Sequence, residues 1–144
     1  MAQTTTHTAY GTDVFALSTG LNSLTNLSSV TSAAIDNTTN KNLYVDIYIK
    51  LNTQLSARTA GGQVNVYLLG SPDGGTTYVD YLINISPLIA TINFDAAVTA
   101  WLEAAHDCPI PPGFFKLVFV NNTGQTLATL SNTAKALPHS VLST

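Results

Sequence analysis

The segment from residue 108 to residue 124, CPIPPGFFKLVFVNNTG, constrains the fold of this chain more than any other. Its three prolines fix φ and lack amide donors, so residues 109–112 lead into a sheet and do not lie inside one. Residues 114–120 then alternate with a period of two, which predicts a strand. Phe115, Leu117 and Phe119 share one face of it, and Lys116, Val118 and Val120 share the other. Asn and Gly in 121–124 end the strand as a turn.

Composition favours the same class. The chain has 144 residues, the length of one domain. Only 9% of them are charged, whereas typical soluble domains have roughly 25%. Thr, Ser and Asn contribute 44 residues and must supply most of the polar surface. Since Thr favours strands and Ser and Asn favour turns, this polar set predicts an all-β chain with many loops. Low charge also suits a protein that packs against neighbours.

The clearest alternation lies in residues 43–51. Leu43, Val45, Ile47, Ile49 and Leu51 fall on one face, and Tyr44, Asp46, Tyr48 and Lys50 fall on the other. Similar but weaker patterns and turn signals predict further strands at 14–17, 27–36, 64–68, 78–85, 88–94, 126–130 and 133–137, with 64–68 and 78–85 paired as a hairpin through the turn at 70–75.

These strands predict an all-β fold, an antiparallel β-sandwich for which a jelly roll is one arrangement. Residues 95–107 contain mostly helix-forming residues, so a single short helix is an open alternative there. Residues 1–13 have no core pattern and are interpreted as a flexible N-terminal arm. The remainder, 14–144, is interpreted as one domain.

Charge and hydropathy argue against several partners. The net charge is −3, and the five basic residues are spread along the chain, so no nucleic-acid partner is expected. No run approaches the ~20 apolar residues of a membrane-spanning helix, so no membrane partner is expected either. The N-terminus lacks the pattern of a secretion signal, and a single cysteine requires no oxidising compartment. Synthesis in the cytoplasm is the expectation.

The sequence predicts no catalytic site, no metal site and no cofactor. His106, Asp107 and Cys108 are adjacent, and neighbouring side chains in an extended chain point to alternate faces rather than converging. His7, His106 and His139 have no metal-ligand spacing. The same holds for a calcium site built from carboxylates, for which the candidates are Asp36, Asp73, Asp80 and Asp95.

Aromatic residues and the arm are the candidates for contact with a partner. Tyr44 and Tyr48 flank Asp46 on the outward face of their strand, where they form an exposed stripe unless a loop covers them. Trp101 is either a core anchor or an exposed platform for a glycan or protein. The arm could become ordered on a partner by adding backbone hydrogen bonds. Its candidate residues are Thr4, Thr5, Thr6, His7 and Tyr10.

Three blocks resemble a known class of proteins. They are YVDIYIK from residue 44, VYLLGSPDGGTTY from residue 66 and IPPGFFKLVFVNNTG from residue 110. In this order they resemble small virion structural proteins of tailed bacteriophages, β-sandwich proteins that decorate or cement the capsid. The resemblance spans roughly residues 25–138.

The resemblance implies a non-enzymatic protein on the capsid exterior. Its partner would be the major capsid protein of the same phage, and it would act as a homo-oligomer. Three alternatives remain open at this stage: a tail or neck component of the virion, a carbohydrate-binding accessory module that recognises surface glycans, and a hydrolase. The hydrolase is the least favoured, because no paired carboxylates, nucleophile elbow or metal motif is present.

Overall fold

The structure, a computed structural model, describes residues 5–7, 14–81 and 86–143. The described residues form eleven β-strands and no helix. The strands are β1 Thr5–His7, β2 Val14–Leu17, β3 Ser29–Thr31, β4 Ile35–Asp36, β5 Tyr44–Leu51, β6 Gln63–Gly70, β7 Leu88–Asn93, β8 Trp101–Pro109, β9 Phe114–Asn122, β10 Thr133–His139 and β11 Val141–Ser143. The predicted all-β class is confirmed.

Two antiparallel sheets carry the fold. The first sheet has the order β2-β10-β5-β8, and the second has the order β3-β9-β6-β7, with β4 also paired to β9. Taking β3 and β4 as one interrupted strand leaves eight strands in chain order from β2 to β10. If these eight strands are counted from β2 as strand 1 to β10 as strand 8, one sheet has the order 1-8-3-6 and the other has the order 2-7-4-5. This is the strand order of a jelly roll, the sandwich architecture that the sequence left open.

The core lies between the two sheets and is built from the alternating faces that the sequence predicts. From the first sheet, Val45, Ile47, Ile49 and Leu51 are fully buried, and Phe115, Leu117 and Phe119 face them from the second. Leu43 was expected on the same face, but it precedes β5 and its side chain is exposed. Cys108 is buried in this core as a small apolar side chain.

The outer face of the second sheet is also covered. Val118 and Val120 are buried there with Tyr67 and Leu69, and Tyr81 packs against them. The segment that follows β6 therefore packs Tyr81 against this face, within the predicted hairpin strand at 78–85, of which residues 82–85 lie outside the described ranges. Its described part, 78–81, is not a strand, and β6 pairs with β7. The prediction was wrong because aromatic side chains suit a covering loop as well as a strand.

Residues 95–107 contain no helix. The backbone carbonyls of the 95–99 loop accept hydrogen bonds from another part of the chain, which hold this segment in a non-helical conformation. Arg58 donates from Nε to the carbonyl of Asp95 and from Nη2 to that of Thr99, both at 3.1 Å, and the amide of Gln54 donates to the carbonyl of Val98 at 2.8 Å. Residues 101–109 then pair with β5 as strand β8. Tertiary pairing overrides helix propensity here.

Two other predicted strands differ from the structure. The segment 27–36 is divided into β3 and β4, and Ser32 bridges the gap between them to β9. The segment 126–130 is a loop rather than a strand. It still contributes Leu127 to the core, because an apolar side chain can reach the interior from a loop as well as from a strand.

The N-terminal residues are described only in part. Thr5, Thr6 and His7 form β1, which pairs antiparallel with β11 near the C-terminus. Thr4 and Tyr10 lie outside the described residues, as does most of the expected arm. Within the described ranges, no helix is long and apolar enough to span a membrane.

Candidate functional site

A buried carboxylate on the outer face of the first sheet is the centre of the candidate site. Asp46 lies in β5 with its side chain only 4% exposed. One oxygen, Oδ1, accepts a hydrogen bond from the amide of Asp107 at 2.9 Å. The other, Oδ2, lies 3.0 Å from Nδ1 of His106. A buried carboxylate that is held in this way stays charged, because its hydrogen bonds compensate for lost hydration.

A β-bulge brings these partners together. The register between β5 and β8 shifts between Val45 and Ile47, which places Asp46 opposite the bulged residues of β8. Asp107 adopts φ of 53°, a left-handed conformation that Asp tolerates better than most residues. Bulges re-aim side chains, and this one directs both His106 and Asp107 into the cluster.

His139, at the end of β10, completes the cluster, so three strands contribute to it: β5, β8 and β10. Its Nε2 lies 2.9 Å from Oδ1 of Asp107, and its Nδ1 lies 3.3 Å from the carbonyl of Leu137 and 3.9 Å from Oδ1 of Asp46. The ring is buried, whereas Asp107 is 68% exposed. The site therefore combines two buried side chains, Asp46 and His139, with two solvent-exposed ones, His106 and Asp107.

Proton affinities in the cluster follow from these contacts. Burial by itself raises the pKa of Asp46, but the hydrogen bond from the Asp107 amide and the nearby His106 and His139 outweigh it, so the pKa lies below its ordinary value. Burial by itself lowers the pKa of His139, but the hydrogen bond to Asp107, the Leu137 carbonyl and the charge of Asp46 raise it above its ordinary value. Both shifts favour the charged forms.

The two tyrosines singled out by the sequence flank this cluster. The Tyr44 ring lies 6.0 Å from that of His139 between centroids, and the Tyr48 ring meets that of His106 edge-on at 5.7 Å. Both tyrosines are half-buried. They are partly covered by histidines of the neighbouring strands and still present an accessible aromatic surface on either side of Asp46.

The expectation for the adjacent residues His106, Asp107 and Cys108 was partly wrong. The bulge lets the first two contact the same cluster, which regular alternation forbids. Only Cys108 points to the opposite face, where burial, followed by the nearby charges of Asp46 and Asp107, raises the pKa of its thiol to about 11. A buried thiol with so high a pKa is a poor nucleophile.

Sequence reasoning missed Asp46 and His139 as site residues. The histidines lie 33 positions apart, and no local spacing links them to each other or to Asp46. One signal was available: a single carboxylate between two outward-facing tyrosines is unusual in a chain with 9% charged residues.

Two of the loop aspartates considered for a calcium site, Asp36 and Asp73, bind the backbone of their own turns. Asp73 accepts hydrogen bonds from the backbone amide of Thr77 at 2.7 Å and from its hydroxyl at 2.7 Å. These bonds, with weaker support from Ser71 and Thr76, lower the pKa of Asp73 to about 2. Asp36 makes the same kind of bonds to Thr38, which lower its pKa.

A second surface feature lies where β5 ends and β8 begins, and we call it the apolar end. Its exposed apolar side chains are Leu55, Val98, Trp101, Leu102 and Leu130. Trp101, a predicted contact residue, pairs with Leu51 in the sheet and is 37% exposed, so it is not a buried anchor. An open groove of about 470 Å³ separates the 52–56 and 125–130 loops.

The cluster and the apolar end offer different chemistry. The cluster presents carboxylate oxygens, imidazole nitrogens and aromatic faces, which suit a cation or a polar ligand. The apolar end presents only area for packing.

In comparisons with known proteins, no protein-family model matches this chain, and no curated protein is significantly similar to it in sequence.

Proposed function

We propose that this chain is a non-enzymatic virion structural protein of a tailed bacteriophage, one that binds and reinforces the assembled capsid as a homo-oligomer. The observation that carries the proposal is the apolar end. A chain with only 13 charged residues exposes five large apolar side chains at one end of its first sheet. Exposed apolar side chains that gather at one end of a sheet are typical of a protein–protein contact.

The fold supports the proposal by analogy. Jelly rolls are common in viral capsid proteins, although they also occur in lectins and in cupins. Because one fold hosts many functions, the analogy adds to the sequence resemblance and does not replace it. The resembling blocks coincide with β5, with β6 and the turn after it, and with β9, which are elements of the scaffold.

The edge of the first sheet supports self-association. β8 pairs with β5 on one side, and no strand among the described residues pairs with its other side. It is nine residues long and mostly exposed. A long open edge offers unpaired amides and carbonyls to a second chain. Trp101 and Leu102 lie at the start of this strand, so edge pairing and apolar contact would share one interface.

Reinforcement would follow from mass action. Each bound copy stabilises the assembled shell relative to separated subunits, and many equivalent sites on a lattice make modest affinities sufficient. Low surface charge reduces the desolvation cost of packing against the shell.

Co-sedimentation with empty shells of the parent phage tests the proposal. Saturable binding and greater heat resistance of the shells are expected. Leu55→Ser and Leu130→Ser, at exposed positions of the apolar end, should each weaken binding, whereas Leu88→Ser, an exposed position on β7, should bind as the original chain does. Pelleting with tails or necks instead would move the assignment to those parts of the virion, and binding to no part would refute it.

The tyrosines favour a second candidate, a carbohydrate-binding role. The Tyr48 ring meets the exposed ring of His106, which the exposed Asp107 follows in the chain, and aromatic faces with nearby polar groups suit sugar recognition. Glycan-array binding that is abolished by Tyr48→Ala and retained by Trp101→Ala would support this role. An array without signal would remove it.

A further inference from the structure

Three donor atoms of the cluster converge from three strands of the first sheet. Asp46 comes from β5, Asp107 from β8 and His139 from β10, and one ligand atom from each lies within 4.8 Å of the other two. Two carboxylate oxygens and an imidazole nitrogen form a donor set typical of divalent transition metals.

The spacing fits a coordination shell. Metal–ligand bonds of about 2.1 Å place adjacent octahedral ligands about 3.0 Å apart and opposite ones about 4.2 Å apart. Nε2 of His139 and Oδ1 of Asp107 are already 2.9 Å apart. The upper limit of 4.8 Å among the three ligand atoms requires a closing movement of at most about 0.6 Å if the most distant pair takes opposite positions, and of at most about 1.8 Å if it takes adjacent ones. Side-chain rotation of the exposed Asp107 can supply it.

The surroundings provide the outer shell that metal ligands require. The Nδ1 of His139 lies 3.3 Å from the Leu137 carbonyl and 3.9 Å from Oδ1 of Asp46, and Nε2 is directed at Asp107. Asp46 is oriented by the Asp107 amide and by His106. A metal-bound histidine typically donates its second ring N–H to a carbonyl or carboxylate, and ligating carboxylates are themselves hydrogen-bonded.

We propose that Asp46, Asp107 and His139 form a binding site for a first-row divalent transition metal, for which Zn²⁺ is the test ion. The imidazole disfavours Ca²⁺ and Mg²⁺, which prefer all-oxygen sites. The two carboxylates balance the charge of the ion, and the exposed Asp107 gives it access. A bound ion cross-links β5, β8 and β10 and thereby clamps β8, the edge strand of the sheet. This inference does not depend on the virion role.

Calorimetric titration of untagged, chelator-treated protein with Zn²⁺ tests the proposal. One ion per chain should bind, and Zn²⁺ should raise the thermal midpoint relative to chelator. Asp107→Asn retains a residue that tolerates the left-handed backbone and removes the charge. This variant and His139→Asn should each weaken Zn²⁺ binding by at least about tenfold, since even outer-shell partners are worth that much. The matched control Asp80→Asn, at an exposed loop carboxylate, should bind as before.

A thiol is the strongest competing ligand, so Cys108→Ala is the second control. It should leave binding unchanged, and the Co²⁺ form of the original chain should lack sulfur-to-metal charge-transfer absorption. If a variant fails to fold, Zn²⁺-dependent shifts of the His139 ring signals in the unmodified protein provide the readout. The proposal is overturned if the unmodified chain binds no Zn²⁺, if Asp107→Asn binds equally well, or if Cys108→Ala abolishes binding.

Discussion

The gap between β3 and β4 allows a sharp test of the packing argument. Ser32 lies in this gap, 4% exposed. Its Oγ accepts a hydrogen bond from the amide of Leu117 at 3.0 Å and donates one to the carbonyl of Ala33 at 2.7 Å. The backbone amide of Ser32 also donates to the carbonyl of Leu117 at 2.8 Å. A side chain thus takes the place of a missing ladder bond in the middle of β9.

Ser32→Ala should therefore cost more than its size suggests. The substitution leaves the amide of Leu117, a fully buried residue, without an acceptor, and an unsatisfied buried donor costs about 1–3 kcal/mol. The carbonyl of Ala33 belongs to an exposed residue and can turn to water, so it adds little. For a chain of this length the thermal midpoint should fall by roughly 3–10 °C.

Urea unfolding followed by far-ultraviolet circular dichroism measures this cost. Ser29→Ala, at an exposed position of β3, is the matched control and should stay within about 0.5 kcal/mol of the original chain. Hydrogen exchange at the Leu117 amide should accelerate in Ser32→Ala more than exchange elsewhere in β9. Equal stability of the two variants would refute the argument that the hydroxyl substitutes for a ladder bond.

Two further perturbations test turns. Gly124 has φ of 81°, and a Cβ there would overlap the hydroxyl of Thr59, whereas Gly61 has φ of 73° and open space around it. Gly61→Ala should lower the free energy of unfolding by about 1 kcal/mol through backbone strain. Gly124→Ala should lower it by about 1–3 kcal/mol more, because its Cβ also overlaps Thr59. Equal losses of unfolding free energy in urea would contradict the predicted clash. The hydrogen bonds from Thr77 lower the pKa of Asp73 to about 2, so the stability they contribute is present above pH 4 and lost as the pH falls through 2. The difference in unfolding free energy between the original chain and Asp73→Asn should shrink from pH 5 to pH 2, and a difference that grows would contradict this assignment.

Much of the scaffold was predictable because a strand that buries one face has apolar residues at alternate positions of its own sequence. In β5 and β9 the apolar residues recur every second position, and the predicted strands and, apart from Leu43, their inward faces are confirmed; the strands predicted at 64–68 and 133–137 are confirmed as β6 and β10. Alternation is a property of one strand and needs no knowledge of its partner. The segments that failed, 78–85 and 126–130, have the same residue types but are loops over their described parts, since β7 takes the place beside β6.

Buried asparagines illustrate a second limit of local reasoning. The sequence marks Asn as a turn former, yet Asn37, Asn121 and Asn132 are buried and bind loop backbone from the inside. Asn121, for example, donates from Nδ2 to the carbonyls of Leu24 and Gln125, both at 2.8 Å. Which asparagine plays this part depends on where distant loops meet, and no local pattern records that.

The sequence by itself determined the all-β class, the inward faces of β5 and β9 and the aromatic stripe of Tyr44 and Tyr48, because each depends on the chemistry of neighbouring residues. Only the tertiary structure decided the jelly-roll order and the cluster of Asp46, Asp107 and His139. The cluster needs a register between strands far apart in the chain and a bulge that breaks alternation at one residue. Both arise from the packing of the whole sheet, so they exist only once the chain has folded.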